Sequence, residues 1–282
     1  MNSNVPSKIS FMQYVATNSI QNAIQKIVGQ DSKRFISSIT SAVTTNTQLS
    51  ECTNDSIFSA ALLGESLKLS PSPQLGQYFM VPFNLYQGKD ENGKSIYKKV
   101  AQFQLGYKGY IQLAIRSGQY RDIDVIEIRE GEYQGRDKVS GKHLFNFIED
   151  DDMRDSLPVI GYMAYFEYLN GFYKNMYWSK DKMEKHAIKY STAYASDKKN
   201  KTDYSFWTKD FDGMAFKTMI RQLISKWGIM SIDFQLAYEN DMAVIENDKP
   251  RYVDNESVIL PGTIEEEVDK KVVKLSELRN NK

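Results

Sequence analysis

Over the first 70 positions apolar residues recur at spacings of three and four: Ile20, Ile24, Ile27 and Val28, then Phe35, Ile39 and Val43, then Ile57, Phe58, Ala61, Leu62 and Leu67. That period gives each segment one apolar stripe and predicts three helices, the third capped by Asp55, before Pro71 and Pro73 end the pattern. From about 76 to 178 the pattern is that of strands. Tyr78 to Val81 is aromatic and β-branched, Ile96 to Leu105 alternates, and Gly88 to Ser95 lies between them as a hairpin loop. Tyr107 to Arg116 interrupts with helical spacing at Tyr110, Ile111, Ala114 and Ile115, and Gly118 ends it. Asp122 to Ile128 alternates again. Val159 to Leu169 and Phe172 to Trp178 flank Asn170-Gly171, a pair that readily supplies the two positive-φ positions of a tight hairpin. Helical spacing returns from Ser179 to about Tyr238. It is strongest over 212–227, with Asp212 placed to cap and Gly228 to close. Beyond Tyr238 the chain is acidic and irregular. A short helix is predicted near its end, where Thr263 and Glu266 form a capping box and Ile264, Val268, Val272 and Leu275 share a face.

Strands grouped in the middle with helices on either side predict an α+β fold with an antiparallel β-sheet core, not alternating βαβ units. Three stretches follow from this pattern: an N-terminal helical segment over 1–70, a core over 71–238 and an acidic tail over 239–282.

The chain has 282 residues, 41% of them hydrophobic and 26% charged, enough for one large core. Lys and Arg total 36, as do Asp and Glu, which excludes a chain basic throughout but not a local basic surface. The acids concentrate at the end: residues 239–282 hold 11 acids and 7 bases. A single cysteine, Cys52, excludes an internal disulfide framework and fits a reducing, cytoplasmic setting. No apolar run approaches membrane-spanning length. Residues 1–10 lack the positive-then-apolar order of a signal peptide. His143 and His186, the two histidines, do not stand at zinc-ligand spacing from Cys52, and no metal site is expected.

Bases cluster between 198 and 226, where Lys198, Lys199, Lys201, Lys209, Lys217, Arg221 and Lys226 face three acids and are interleaved with Tyr204, Phe206, Trp207, Phe211 and Phe216. On the 212–227 helix apolar residues cover most of the circumference. They leave a narrow polar stripe of Lys217, Thr218, Arg221, Gln222 and Ser225. Two like charges four residues apart repel each other, and a regularly spaced polyanion would relieve that repulsion; a solvated helix face is the plainer alternative. A second stripe joins Lys108, Gln112 and Arg116, with Arg121 just beyond, opposite the apolar face of the 107–116 helix. Gly109 there allows close backbone approach.

Other motifs fit less well. Gly88 to Ser95 matches the G-x-x-x-x-G-K-S phosphate loop, but a strand pattern follows where the mechanism needs a helix N-terminus. Glu149 to Asp152 would suit a Mg²⁺-dependent nuclease, although consecutive acids in a loop more often face water. Asp197-Lys198-Lys199 lacks the strand context of a nuclease motif. Neither Cys52 nor His186 has the company a nucleophilic site requires.

Three blocks carry a family resemblance: Leu75 to Phe83 (LGQYFMVPF), Gln104 to Tyr120 (QLGYKGYIQLAIRSGQY) and Phe206 to Trp227 (FWTKDFDGMAFKTMIRQLISKW). In order and spacing the chain resembles the RecT branch of the RecT/Red-beta phage annealing recombinases over about 10–235, without the acidic tail. The resemblance implies ATP-independent binding of single-stranded DNA and annealing of complementary strands, by homo-oligomeric rings or helical filaments that hold the nascent duplex in a basic groove. It implies a partner exonuclease, with a host single-strand binding protein as a further partner, and no enzymatic activity or cofactor beyond Mg²⁺ as a modulator of annealing. It points to Lys209, Lys217 and Arg221 as DNA-contacting bases, with Lys108, Arg116 and Arg121 alongside, and to Phe206-Trp207 for stacking or packing. On this reading the 1–70 helices make subunit contacts or simply pack on the core. The tail, outside the resemblance, docks on partners, competes with DNA for the groove or serves as a solvating linker.

Overall fold

A computed structural model describes residues 9–246 and 249–252. The described residues begin with α1 (Phe11–Val15), α2 (Asn18–Val28), α3 (Ser32–Thr45) and α4 (Asn54–Ser66). Ser10 begins α1 with a capping box: its hydroxyl accepts the Gln13 N–H at 3.2 Å, and Gln13 Oε1 accepts the Ser10 N–H at 3.0 Å. Asp55 does not cap α4. Thr53 holds the N-cap position, and Asp55 accepts the Tyr14 hydroxyl at 2.7 Å, fastening α1 to α4.

Two strands, β1 (Tyr78–Lys89) and β2 (Ser95–Leu105), form an antiparallel hairpin whose tip is the Gly88 to Ser95 stretch. At the tip Asp90 Oδ1 accepts the N–H groups of Asn92 and Lys94, and a strand follows, so the phosphate-loop spelling belongs to a turn. α4 packs on this hairpin through Ser56, whose buried hydroxyl accepts the Ala101 N–H at 2.8 Å and donates to Thr53 O at 2.8 Å. Ser56→Ala leaves that amide buried without its acceptor, which costs about 1–3 kcal/mol. Urea denaturation reads this against Ser66→Ala, an exposed hydroxyl expected to change little.

α5 (Tyr107–Arg116) leads from β2 into a second sheet of β3 (Tyr120–Arg129), β6 (Val159–Tyr168) and β7 (Tyr173–Ser179), antiparallel in the order β3-β6-β7. The loop joining β6 and β7 is corrected from its sequence reading. Gly171 takes φ +82°, but Asn170 does not enter the positive region; its side chain accepts the Phe172 N–H instead. Between β3 and β6 stand the small hairpin of β4 (Tyr133–Arg136) and β5 (His143–Phe145) and helix α6 (Asp151–Ser156). Buried Glu132 anchors this insertion, accepting from Arg154 Nε and the Arg129 N–H, both at 2.7 Å.

The remaining described residues form α7 (Lys180–Tyr190), α8 (Thr192–Asn200), α9 (Phe206–Lys209), α10 (Phe211–Trp227) and α11 (Ile232–Asn240), followed by the hairpin of β8 (Ala243–Glu246) and β9 (Lys249–Tyr252). α10 lies against the second sheet, burying Ala215, Met219, Ile220, Leu223 and Ile224 completely. Its cap is Asp210, which accepts the Gly213 N–H at 3.0 Å; Asp212, expected in that role, accepts the Tyr162 hydroxyl. Gly228 follows α10 at φ −76°, a conformation open to any residue.

The α+β class with antiparallel sheets is the one the pattern predicts. Two details of organisation differ. Phe35 and Ile57 of the first 70 residues share one core with Phe103, Tyr110, Phe166 and Leu223, so no break in packing falls near residue 70. Residues 239–246 do not stand apart as tail, because β8 joins β2 at Phe103↔Ala243 and extends the first sheet to the order β1-β2-β8-β9. The capping box at Thr263 lies outside the described residues.

Candidate nucleic-acid interface

Where β1 begins, β2 ends and α5 starts, the backbone is drawn in by glycines. A Cβ at Gly106 would stand 2.1 Å from Gly76 O, and one at Gly109 would stand 2.1 Å from Gln77 O. Gly76 itself takes φ +59°. α9 and the first turns of α10 close the other side, and the gap is a cleft of about 280 Å³. Phe79, Tyr107 and Phe206 give it aromatic walls, and Lys209 and Lys217 reach it from α9 and α10. Phe206 is 46% exposed and Phe79 36% exposed, high for phenylalanines with core nearby. The Lys108 stem passes over Gly76 at the rim. α5 begins at this cleft with Gly106 as its N-cap and no side-chain cap, so its first N–H groups and partial positive charge lie close to the opening. The cleft is not uniformly cationic, since Asp210 also lines it.

Behind the cleft floor the polar stripe of α10 is occupied from within. Lys217 is only 6% exposed and its Nζ stands 2.8 Å from Asp241 Oδ1. Arg221 Nη1 stands 2.5 Å from Asp241 Oδ2 and donates to the Tyr110 hydroxyl at 3.0 Å. Asp241 also accepts the Leu105 N–H at 2.8 Å and the Tyr110 hydroxyl at 2.9 Å. The expectation that Lys217 and Arg221 lie open to a phosphate backbone is therefore corrected. An apolar circumference leaves such a stripe to solvent only where nothing covers it, and here Asp241 at the end of α11 folds over it and relieves the i, i+4 repulsion internally. Burial lowers the Lys217 pKa, and Asp241 offsets part of that. Burial works against the charge on Arg221 as well, but Tyr110 and Asp241 outweigh it and raise the Arg221 pKa.

The other sequence candidates separate. Phe206 and Lys209 line the cleft and Lys108 stands at its rim. Arg116 does not reach it: its guanidinium donates to Leu67 O at 2.8 Å and Lys68 O at 2.9 Å, terminating α4. Arg121 pairs with Glu167 at 2.7 Å across β3 and β6. Trp207 is buried against Tyr194 and Phe211. Sequence reading missed Phe79 and Asp241 altogether. Phe79 had a signal, because alternation from buried Tyr78 and Met80 puts it on the outer face of β1. Asp241 had none, lying in a polar stretch after a helix.

One residue of each acidic motif holds a local turn. Asp150 caps α6 through the Met153 N–H, and Asp197 accepts from Thr202, Ser205 and Thr208 to shape the loop before α9. Among the described residues no group of three or more His, Cys, Asp or Glu side chains is placed to hold a metal ion, and no helix is long and apolar enough to cross a membrane.

An antiparallel α+β core with a basic and aromatic cleft fits a recombination protein of the strand-annealing class. A model of the RecT family matches residues 33–254, and the chain belongs to that family. The match runs past residue 238, so it takes in the β8–β9 hairpin, which lies within the stretch expected as tail. The chain is 38% identical over 237 residues to a Bacillus subtilis (strain 168) protein named uncharacterized protein YqaK, covering 84% of this chain and 72% of that one. It is 34% identical over 100 residues to protein RecT of Escherichia coli (strain K12), covering 36% of this chain and 35% of that one. Family membership supports a single-strand annealing function in recombination, with binding of single-stranded DNA.

Proposed function

We propose that the chain anneals complementary DNA strands without ATP, as a homo-oligomer, and that the cleft between β1, α5, α9 and α10 grips the first strand. The observation that carries this is the convergence, from three separate segments, of Phe79, Tyr107 and Phe206 with Lys108 and Lys209 on one opening. Two strands repel each other as polyanions, and lysines beside the backbone displace condensed counterions without reading sequence. Exposed rings support a few bases by stacking, which every base accepts, and leave the rest free to pair. No proton transfer or bond cleavage is needed. A cleft of about 280 Å³ takes few nucleotides, so useful affinity requires neighbouring subunits, and a partner exonuclease would supply the single strand.

Two substitutions separate charge from stacking. Lys209→Ala is expected to weaken binding of every oligonucleotide sequence and to lower the slope of log affinity against log salt by about 0.7, one phosphate contact on a single strand. Phe206→Ala is expected to cost about 1–3 kcal/mol with the salt slope unchanged. Fluorescence anisotropy over a salt series measures both. Parent affinity and slope in both variants would rule the cleft out, and annealing that stopped on removing ATP would end the nucleotide-independent reading.

A further inference from the structure

At the other end of α10 a second group of lysines and rings has no part in the cleft. Lys174 Nζ stands 4.7 Å from the Trp227 ring centre and Lys226 Nζ 5.8 Å from it, while Lys182 Nζ stands 4.2 Å from the Trp178 ring centre. His186 packs edge-on to Trp178 at 5.2 Å. Like charges crowd here: burial lowers the Lys182 pKa, and Lys226 lowers it further. Burial, with Lys189 and Lys182, brings His186 to about 4, so it is neutral at physiological pH.

The carboxylates close in sequence are engaged elsewhere. Asp181 pairs with Lys185 and Glu184 with Lys198, and among the described residues Lys174, Lys182 and Lys226 have no ion pair. Lys182 and Lys226 are exposed, and Trp227 is 37% exposed at the end of its helix. Trp178 lies buried at 9% exposure beneath Lys182, so Trp227 is the ring left open; three lysines without an ion pair gathered about it make a site for a partner that is anionic and presents flat rings. A nucleic-acid strand has both properties, whereas an acidic peptide supplies only the charge.

The position sets this face apart from the cleft. Lys217 on the cleft floor and Lys226 are nine residues apart on α10, two and a half turns at 3.6 residues per turn, so they leave opposite sides of the helix about 13 Å apart along it. A strand lying in the cleft does not follow α10 round to this face.

We infer that the face formed by Lys174, Lys182 and Lys226 around Trp178 and Trp227 is a second single-strand contact, which holds the incoming complementary strand while the cleft holds the first. The inference rests on the cleft reading, because a second strand has meaning only where a first is bound.

The test uses the full chain carrying Lys174→Ala, Lys182→Ala and Lys226→Ala together, with circular dichroism and melting to confirm the fold. A labelled first oligonucleotide is bound, and then its complement or polyglutamate is added. First-strand affinity within twofold of the parent with capture of the complement at least tenfold slower, restored when all three positions carry arginine, supports the inference. Unchanged capture overturns it. First-strand binding lost as severely as in Lys209→Ala also overturns it, by placing this face on the first strand's path. Retention of polyglutamate by the parent as strong as that of the complement, and lost in the triple variant, overturns it in favour of an acidic protein partner. The cleft reading fails separately, on the first-strand binding of Lys209→Ala and Phe206→Ala in otherwise parental protein.

Discussion

Replacing Asp241 by alanine is expected to lower the free energy of unfolding by about 3–5 kcal/mol, the usual penalty when one side of a buried ion pair is removed and the other remains. Here the remaining side is double. Lys217 and Arg221 are held at 2.8 and 2.5 Å from the two carboxylate oxygens, and Asp241 itself is 0% exposed. Without it two cations stay buried four residues apart on one helix, and the Leu105 N–H and the Tyr110 hydroxyl lose their acceptor. Asp241→Asn tests the charge at nearly constant shape. An amide satisfies the bond from Leu105 but not two cations, so most of the loss should persist. Urea denaturation with an unchanged slope is the measurement, and a loss under about 1 kcal/mol in both variants would show that the cluster relaxes or admits water.

The same carboxylate gives the acid limb of stability its sign. Burial alone would raise its pKa, but Lys217, Arg221 and the Leu105 N–H bond more than reverse that, so the folded value lies below the ordinary one. A group whose folded pKa is depressed contributes stability above its unfolded pKa, about 4, and that contribution is lost as pH falls through the folded value. The parent should lose stability below about pH 4 more steeply than Asp241→Asn does. Lys217→Ala and Arg221→Ala separate structure from DNA contact in the same way. The cluster predicts lost stability with an unchanged salt slope in the folded protein, whereas phosphate contacts would lower the slope and spare the stability.

What the sequence disclosed and what it hid divide along physical lines. Period and punctuation are local, and they placed α2, α3, α4, the β1–β2 hairpin, α5 and α10 within a few residues. They could not identify α10's cap, because Asp210 and Asp212 stand two residues apart and only packing shows that the second faces Tyr162. For the site, the family resemblance points to Phe206 and Lys209, and both stand exposed on a four-residue helix. The same reasoning failed for Lys217, Arg221 and Arg116, whose partners are Asp241 and two carbonyls at the end of α4, separated from them by 20 to 49 positions. A stripe of charge on a helix is visible in sequence; the acid that covers it is not, when it arrives from the far side of the fold. The β8–β9 hairpin was missed for a related reason, since its four-residue strands carry little pattern of their own and owe their place to β2.

Gly109→Ala should be the most damaging single methyl group at the site, against the intrinsic preference of the helix that contains it. Within α5 alanine is favoured over glycine by about 0.8–1.0 kcal/mol. The added Cβ, however, would stand 2.1 Å from Gln77 O and 2.9 Å from Leu105 Cδ1. Gln77 O has no freedom to retreat, because it accepts the Gly106 N–H at 2.8 Å where β1 begins. Relief requires α5 to move off β1, which pulls Tyr110 from Asp241 and opens the cleft floor. Overpacking of this kind costs about 1–3 kcal/mol where side chains yield and more where backbone must. A net loss of about 3 kcal/mol, or about 6 °C and upward in melting temperature, is therefore expected. Gly106→Ala should behave alike, with its Cβ 2.1 Å from Gly76 O. Ile115→Ala on the same helix, 54% exposed, should shift stability by no more than about 0.5 kcal/mol. Differential scanning calorimetry of the three variants, with oligonucleotide binding measured on whichever stay folded, decides the matter. If Gly109→Ala and Gly106→Ala melt with the parent and bind DNA normally, the close approach of β1 to α5 does not shape the cleft.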